Sequence, residues 1–141
     1  GRIGNEGGTL QDYVSELGLD SFFHFTGWVP EPDRVLAACD MLAAPSFGNN
    51  PWGRDIIESY SLERPVMATG NWNGFVKHAQ TGLLADIFDP EKFAKDILRL
   101  ADDRSALKKM GEVGRQNIVE VCSPVDRAHD LQNIWQSLIS S

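Results

Sequence analysis

The sequence predicts an α/β fold in which a parallel sheet is covered by helices on both sides. Three observations predict it. Short apolar runs at 41–45, 65–69 and 82–85 have the length and composition of buried strands. Stretches with helical spacing of apolar residues alternate with those runs. Loops rich in Gly, Asn and Pro follow the strands at 27–32, 46–53 and 70–74. Ligands of such sheets sit outside the carboxyl ends of the strands, so residues of these three loops are expected to converge on one crevice.

The elements follow in order. Residues 1–8 carry four glycines and read as a flexible start. A phosphate-binding turn would need a strand immediately before them. Residues 9–17 form a helix, with Thr9 as N-cap, Asp12 three residues on, and Gly18 as the stop. Residues 22–26 are a short aromatic strand that half-buries His24. Residues 33–39 are a short helix in which Cys39 is a small core residue. A strand at 41–44 follows, then a helix opened by Gly53 with Ile56, Ile57 and Tyr60 on its apolar face. After the strand at 65–69 come the loop 70–74, a helical turn at 75–79 and the strand 82–85. Asp89, Pro90 and Glu91 start a helix in the favoured order, with Phe93, Ala94, Ile97, Leu98 and Ala101 as its apolar stripe. Asp103 starts the next, with Leu107 and Met110 inward. Gly111 and Gly114 weaken it by roughly 1 kcal/mol each against alanine. Ser123 and Pro124 begin the last helix, whose expected buried face is Leu131, Ile134, Trp135 and Leu138.

The chemistry concentrates in residues 45–58. A strand, a glycine-containing loop and a helix start place backbone N–H groups and a positive helix end at the edge of a sheet, which suits an anion such as phosphate. Glu58 has two readings: an acceptor for a sugar hydroxyl, or a surface partner of Arg54 at i,i+4 worth roughly 0.3–0.5 kcal/mol. Trp28, Trp52 and Trp72 each fall in one of the three loops. They either offer stacking faces, with Trp52 the best placed, or plug the loops against the sheet. Lys77 and His78 follow the third loop and either approach a phosphate or belong to the solvated surface, the second being the favoured reading.

The totals bound the function. A chain of 141 residues fits one domain over 1–141, and 42% hydrophobic with 23% charged content is that of a globular fold. A net charge of −7 argues against nucleic acid or an anionic membrane surface as partner. Cys39 and Cys122 show no metal-ligand spacing, and nothing demands an oxidising compartment. No stretch is long and apolar enough to span a membrane, and no signal peptide is visible.

These residues, in their order, resemble a known family. The sequence runs Phe22-Phe23-His24-Phe25-Thr26-Gly27, then Trp28-Val29, Pro45-Ser46, Asn50-Pro51-Trp52-Gly53 and Ile57-Glu58. Pro65-Val66-Met67-Ala68-Thr69 and Thr81-Gly82-Leu83-Leu84 complete the series. It is similar to the C-terminal, donor-binding domain of retaining glycosyltransferases of the GT-B fold. The nearest group is the large family 4, rich in bacterial cell-envelope sugar transferases. The resemblance implies a Rossmann-like parallel sheet that is half of a GT-B fold. It implies transfer of a sugar from a nucleotide diphosphate-sugar, UDP- or GDP-linked, to an acceptor hydroxyl with retention, without a metal or other cofactor.

The family pattern is a glutamate, seven residues, then a second glutamate. Glu58 matches the second and would bind the ribose hydroxyls. Asn50 stands at the first, which faces the donor sugar. Asparagine can still bond a hydroxyl but carries no charge. Gly53 and Arg54 begin the helix whose amides would approach the diphosphate, with Pro51 and Trp52 leading into it. Val29 and Glu31 match positions near the nucleotide base, and Ser46 lies at the mouth of the crevice. Gly74 stands where family members usually carry a further glutamate.

Two strands and a helix of the family domain, with a cationic pair that clamps the diphosphate, precede the segment matching Gly1. The resemblance therefore implies a fragment of a longer enzyme, inactive alone. Its acceptor, a sugar or lipid-linked sugar, would bind a separate N-terminal domain. The expected location is the cytoplasm, or the inner face of a membrane for the full-length protein. Lacking the family's first strand, the strand at 22–26 is expected to pair anew or to leave an edge open to self-association. A non-catalytic module that kept the fold and lost the acidic sugar contacts is the alternative. An epimerase or phosphorylase on a similar scaffold fits the order from Ser46 to Glu58 less well.

Overall fold

The computed structural model describes residues 2–3, 8–46, 48, 51–86 and 89–140. The chain divides into two compact units, 1–31 and 32–141, where the sequence reading has one domain.

In the first unit, β1 (Arg2–Ile3) and β2 (Gly8–Thr9) pair antiparallel, so part of the glycine-rich start is held in a ladder. Helix α1 (Leu10–Glu16) begins at Thr9 as its sequence signals. The Asp12 backbone N–H donates to Thr9 Oγ1 at 3.2 Å, and the Thr9 N–H donates to Asp12 Oδ2 at 2.7 Å. The Thr9 backbone and hydroxyl donors hold the Asp12 carboxyl below its ordinary range. Gly18, at φ +67°, closes the helix: its N–H bonds Ser15 O and the Leu19 N–H bonds Val14 O.

The expected strand at 22–26 is not formed. A short 3₁₀ turn covers Asp20–Phe22, and Phe23 to Gly27 belong to no ladder. Phe23 is extended (φ −116°, ψ 131°), and its ring stacks on Phe25 at 6.1 Å, as alternate residues of an extended chain do. The local pattern of a strand is present. A strand also needs a neighbour to bond, and among the described residues none lies beside these. His24 is accordingly exposed rather than half-buried.

The second unit holds a three-stranded parallel sheet in the order β3 (Leu42–Ala44), β4 (Val66–Thr69), β5 (Gly82–Ala85). The register pairs Ala44 with Ala68 and Ala68 with Leu84. Helices cover both faces, which is the expected class. Val66 and Ala68 look to one side, onto Ile56 and Tyr60 of α3 (Arg54–Ser61) and Ile118 of α5 (Arg104–Val121). Met67, Leu83 and Ala85 look to the other, onto Leu100 of α4 (Pro90–Asp102) and Leu107 of α5. The central strand β4 is buried throughout, as a strand flanked and covered on all sides must be.

Four further expectations change. The apolar stripe of α4 is Phe93, Ile97 and Leu100, while Ala94, Leu98 and Ala101 face out. Residues 75–79 form no helical turn; the segment bends, and His78 bridges to Gly82. Cys39, just past α2 (Pro32–Ala38), is exposed, its thiol donating to Val35 O at 3.2 Å. The fourth concerns α6 (Pro124–Ile139), capped by Ser123 as expected but with no buried residue. Trp135 is 61% and Leu138 70% exposed, because nothing among the described residues packs on that face.

The two glycines of α5 are explained by packing. A Cβ on Gly111 would overlap the Glu63 carbonyl oxygen and lie 2.6 Å from its carbon. A Cβ on Gly114 would lie 2.5 Å from Tyr60 Cε1. Bare backbone is what lets α5 close onto α3, and this offsets the low helix propensity.

Candidate functional site

The carboxyl ends of β3 and β4 are tied together by one side chain. The Ser46 N–H donates to Thr69 Oγ1 at 2.7 Å, and the Thr69 hydroxyl donates back to Ser46 O at 2.6 Å. Thr69 thereby extends the ladder one step beyond the strands and fixes where the loop 46–53 departs. Ser46 Oγ in turn accepts from the Gly48 N–H at 3.2 Å. Asn50 lies outside the described residues.

The loop returns at Pro51, which is buried, and Trp52, which is 58% exposed. Gly53 is the N-cap of α3 and makes no side-chain capping bond. Helices α1, α4, α5 and α6 are each capped by a side chain, from Thr9, Asp89, Asp103 and Ser123. Among the described residues, no side chain caps the first amide donors of α3, which carry the positive end of the helix dipole. Asp55, in its first turn, lies close enough that a Cβ on Gly53 would overlap its Oδ1.

Arg54, Glu58 and Ser61 share the exposed face of α3 at i, i+4 and i+7, while Ile56 and Tyr60 are buried. The surface pair of Arg54 with Glu58 is not made; among the described residues, no ion pair involves either. Ser46, Pro51, Trp52, Gly53, Arg54 and Glu58 thus form one continuous strand-end, loop and helix. Val29 and Glu31 belong to the first unit, Val29 part-buried and Glu31 exposed.

Residues that sequence reasoning missed support the site from behind. Tyr60, wholly buried, has its hydroxyl 2.9 Å from Thr81 Oγ1. Thr81 Oγ1 also accepts from the Lys77 N–H at 2.9 Å and donates to Phe75 O at 3.3 Å. The phenol is therefore the donor to Thr81. Burial pushes the Tyr60 hydroxyl up to about 12 against the opposing effect of the Thr81 bond. This network locks α3 to the segment after the loop 70–74. His78 Nδ1 accepts the Leu84 N–H at 3.0 Å, covering part of the free edge of β5. Thr81 is visible in the sequence only as part of the Thr-Gly-Leu-Leu run, and nothing local marks its partner.

A groove lined by Glu63, Glu112, Arg115, Gln116 and Val119 lies at the other end of α3 from Gly53. It holds the Arg115–Glu63 ion pair and none of the residues above. Among the described residues no group of His, Cys, Asp and Glu could hold a metal ion, and no helix is long and apolar enough to cross a membrane.

This geometry has close counterparts. The chain is 31% identical over 120 residues to the lipopolysaccharide core biosynthesis glycosyltransferase LpsE of Rhizobium meliloti, a match covering 82% of this chain and 34% of LpsE. The HepE protein of Anabaena in complex with UDP superposes with a TM-score of 0.78 at 24% identity, over 88% of this chain and 36% of HepE. HepE is also known in complex with UDP-glucose. Sucrose-phosphate synthase of Thermosynechococcus elongatus superposes with a TM-score of 0.82 at 23% identity, over 93% of this chain and 34% of the synthase. The chain spans about a third of the length of these proteins. The superpositions show half of a GT-B fold. The family model for glycosyl transferases group 1 matches residues 2–103. The chain belongs to the glycosyl transferases group 1 family.

Proposed function

We propose that this chain is the donor-binding part of a longer glycosyltransferase that moves a sugar from a nucleotide diphosphate-sugar to an acceptor hydroxyl with retention. The carrying observation is the start of α3: a helix with no side-chain cap on Gly53, at the carboxyl end of a parallel strand, with an exposed carboxylate at Glu58 that makes no ion pair among the described residues. Amides at Gly53 and Arg54 meet the diphosphate and stabilise charge on it as the glycosidic bond breaks, with the Arg54 guanidinium adding to the field. Glu58 accepts hydrogen bonds from the ribose hydroxyls. Pro51 and Trp52 wall the approach, Ser46 lies at its mouth, and Asn50 bonds the donor sugar. The UDP and UDP-glucose complexes of HepE favour UDP over GDP.

The acceptor, a sugar or lipid-linked sugar of the cell envelope, binds elsewhere in the full-length protein. We place that protein in the cytoplasm, at the inner face of a membrane. In the same reading the isolated 141 residues bind nucleotide without turning it over, and the edge of β3, which pairs with no second strand among the described residues, is their route to self-association. Light scattering that finds monomers at all concentrations removes that last element.

The test is a thermal-shift series with UDP, GDP, ADP and their sugar conjugates. A ligand at a hundred times its dissociation constant stabilises by about 2.7 kcal/mol, several degrees for a domain of this size. A shift with UDP that Glu58→Ala abolishes is the expected result. No shift with any nucleotide, from a chain that melts cooperatively, refutes the proposal.

One observation favours a second reading, a binding module without catalysis. The space an acid at position 74 would need is filled by the Trp72 ring. Turnover by the full-length protein excludes that reading.

A further inference from the structure

We propose that Trp72 is the platform on which the sugar ring of the donor rests; this builds on the nucleotide-sugar reading above. Trp72 lies in the loop that leaves the carboxyl end of β4, beginning one residue after Thr69, whose hydroxyl also holds the Ser46 end of the neighbouring loop. The side chain is pinned on two sides. Its six-membered ring covers Gly74 so closely that a Cβ there would lie 2.7 Å from Cε2, inside the ring's own envelope. Its other contact is the Phe75 ring, edge-on at 5.5 Å and 67°. Phe75 packs on the Ile56–Tyr60 core, and its carbonyl accepts the Thr81 hydroxyl. The indole is thus anchored to the helix that carries Gly53 and Glu58.

A tryptophan whose only purpose was to plug the loop would be covered. Trp72 is held and still 45% exposed. An aromatic surface ordered in advance costs a ligand no side-chain entropy, which is what a recognition platform needs. Trp52, more exposed at 58%, has no ring contact among the described residues and lacks that order. The chemistry of the loop selects the ligand. Residues 70–75 read Gly-Asn-Trp-Asn-Gly-Phe and contain no charged group. An apolar ring flanked by neutral amides suits a neutral ring with a C–H face and hydroxyl edges, which is a pyranose and not a phosphate.

Titration calorimetry of the 141-residue chain with UDP and with UDP-glucose tests this. The readout is the ratio of the two dissociation constants, Kd(UDP-glucose)/Kd(UDP). Trp72→Ala is expected to raise the ratio about three- to tenfold while Kd for UDP stays within about twofold. Gly74→Ala keeps the indole but displaces it, and is expected to raise the ratio likewise. Trp72→Phe keeps a ring and is expected to restore most of it. If Trp72→Ala does not melt cooperatively, Gly74→Ala and Trp72→Phe decide the matter. A ratio unchanged in the variants overturns the proposal and returns Trp72 to a plug. Equal weakening of UDP and UDP-glucose overturns it too, because the ring then stacks on the base. A wild-type chain that binds neither ligand refutes the nucleotide-sugar reading itself.

Discussion

The Tyr60–Thr81 bond makes a prediction whose size follows from the structure. The Tyr60 side chain is wholly buried between α3, β4 and α5, and its hydroxyl donates to Thr81. Its proton is held up to about 12, against an ordinary value near 10 in the unfolded chain. The folded-state value is the raised one, so the stabilisation is complete below pH 10 and is lost as pH rises from 10 to 12. At pH 11 the unfolded phenol is mostly ionised and the folded one mostly protonated. The native state then forfeits about 1.4 kcal/mol relative to pH 8 through this group alone. Tyr60→Phe removes the titration and one buried hydrogen bond. It is expected to cost about 1 kcal/mol at pH 8, and the deficit should vanish by about pH 11. Urea unfolding of both proteins at pH 8, 10 and 11, followed by tryptophan fluorescence, reads the difference, and contributions common to both variants cancel. A gap between wild type and Tyr60→Phe that stays constant from pH 8 to 11 would refute the reasoning. The phenol would then not be the buried, protonated donor that locks α3 to residues 75–81.

Three other outcomes follow from named contacts. Gly111→Ala gains about 1 kcal/mol of helix propensity but drives a methyl into the Glu63 carbonyl. A lower melting temperature by several degrees is expected, and a higher one would show that α5 does not lie this close to α3. Thr69→Val keeps the shape and strands both Ser46 backbone groups, for a loss of about 1–2 kcal/mol in chemical denaturation that Thr69→Ser should recover. Equal stability of the valine and serine variants would mean the strand-end tie is not formed. Asp55→Asn removes a carboxylate from the start of α3 and should tighten UDP about two- to fivefold at low salt, less at high salt. Unchanged affinity would place the diphosphate away from that helix end.

What the sequence determined by itself is local. The caps at Thr9, Asp89, Asp103 and Ser123 were legible because a capping side chain bonds a backbone N–H within three residues. The strands β4 and β5 were legible because a covered strand must be a short apolar run, and β3, half-buried at the edge of the sheet, because it is an equally short apolar run. The stretch from Ser46 to Glu58 was legible because strand, loop and helix are contiguous in the chain. What only the tertiary structure decided depends on a partner distant in sequence. Residues 22–26 have the alternation of a strand but no neighbour to bond among the described residues. The apolar stripe of α6 has helical spacing, but among the described residues nothing buries it. Gly111 and Gly114 read as weak points of a helix and are points of close approach to Glu63 and Tyr60. Gly74 reads as a missing acid and is the space that holds the Trp72 ring. Hydrogen bonds to the chain's own neighbours are written in the order of residues. Which side chain meets which across the fold is set by packing, and packing has no fixed spacing along the sequence.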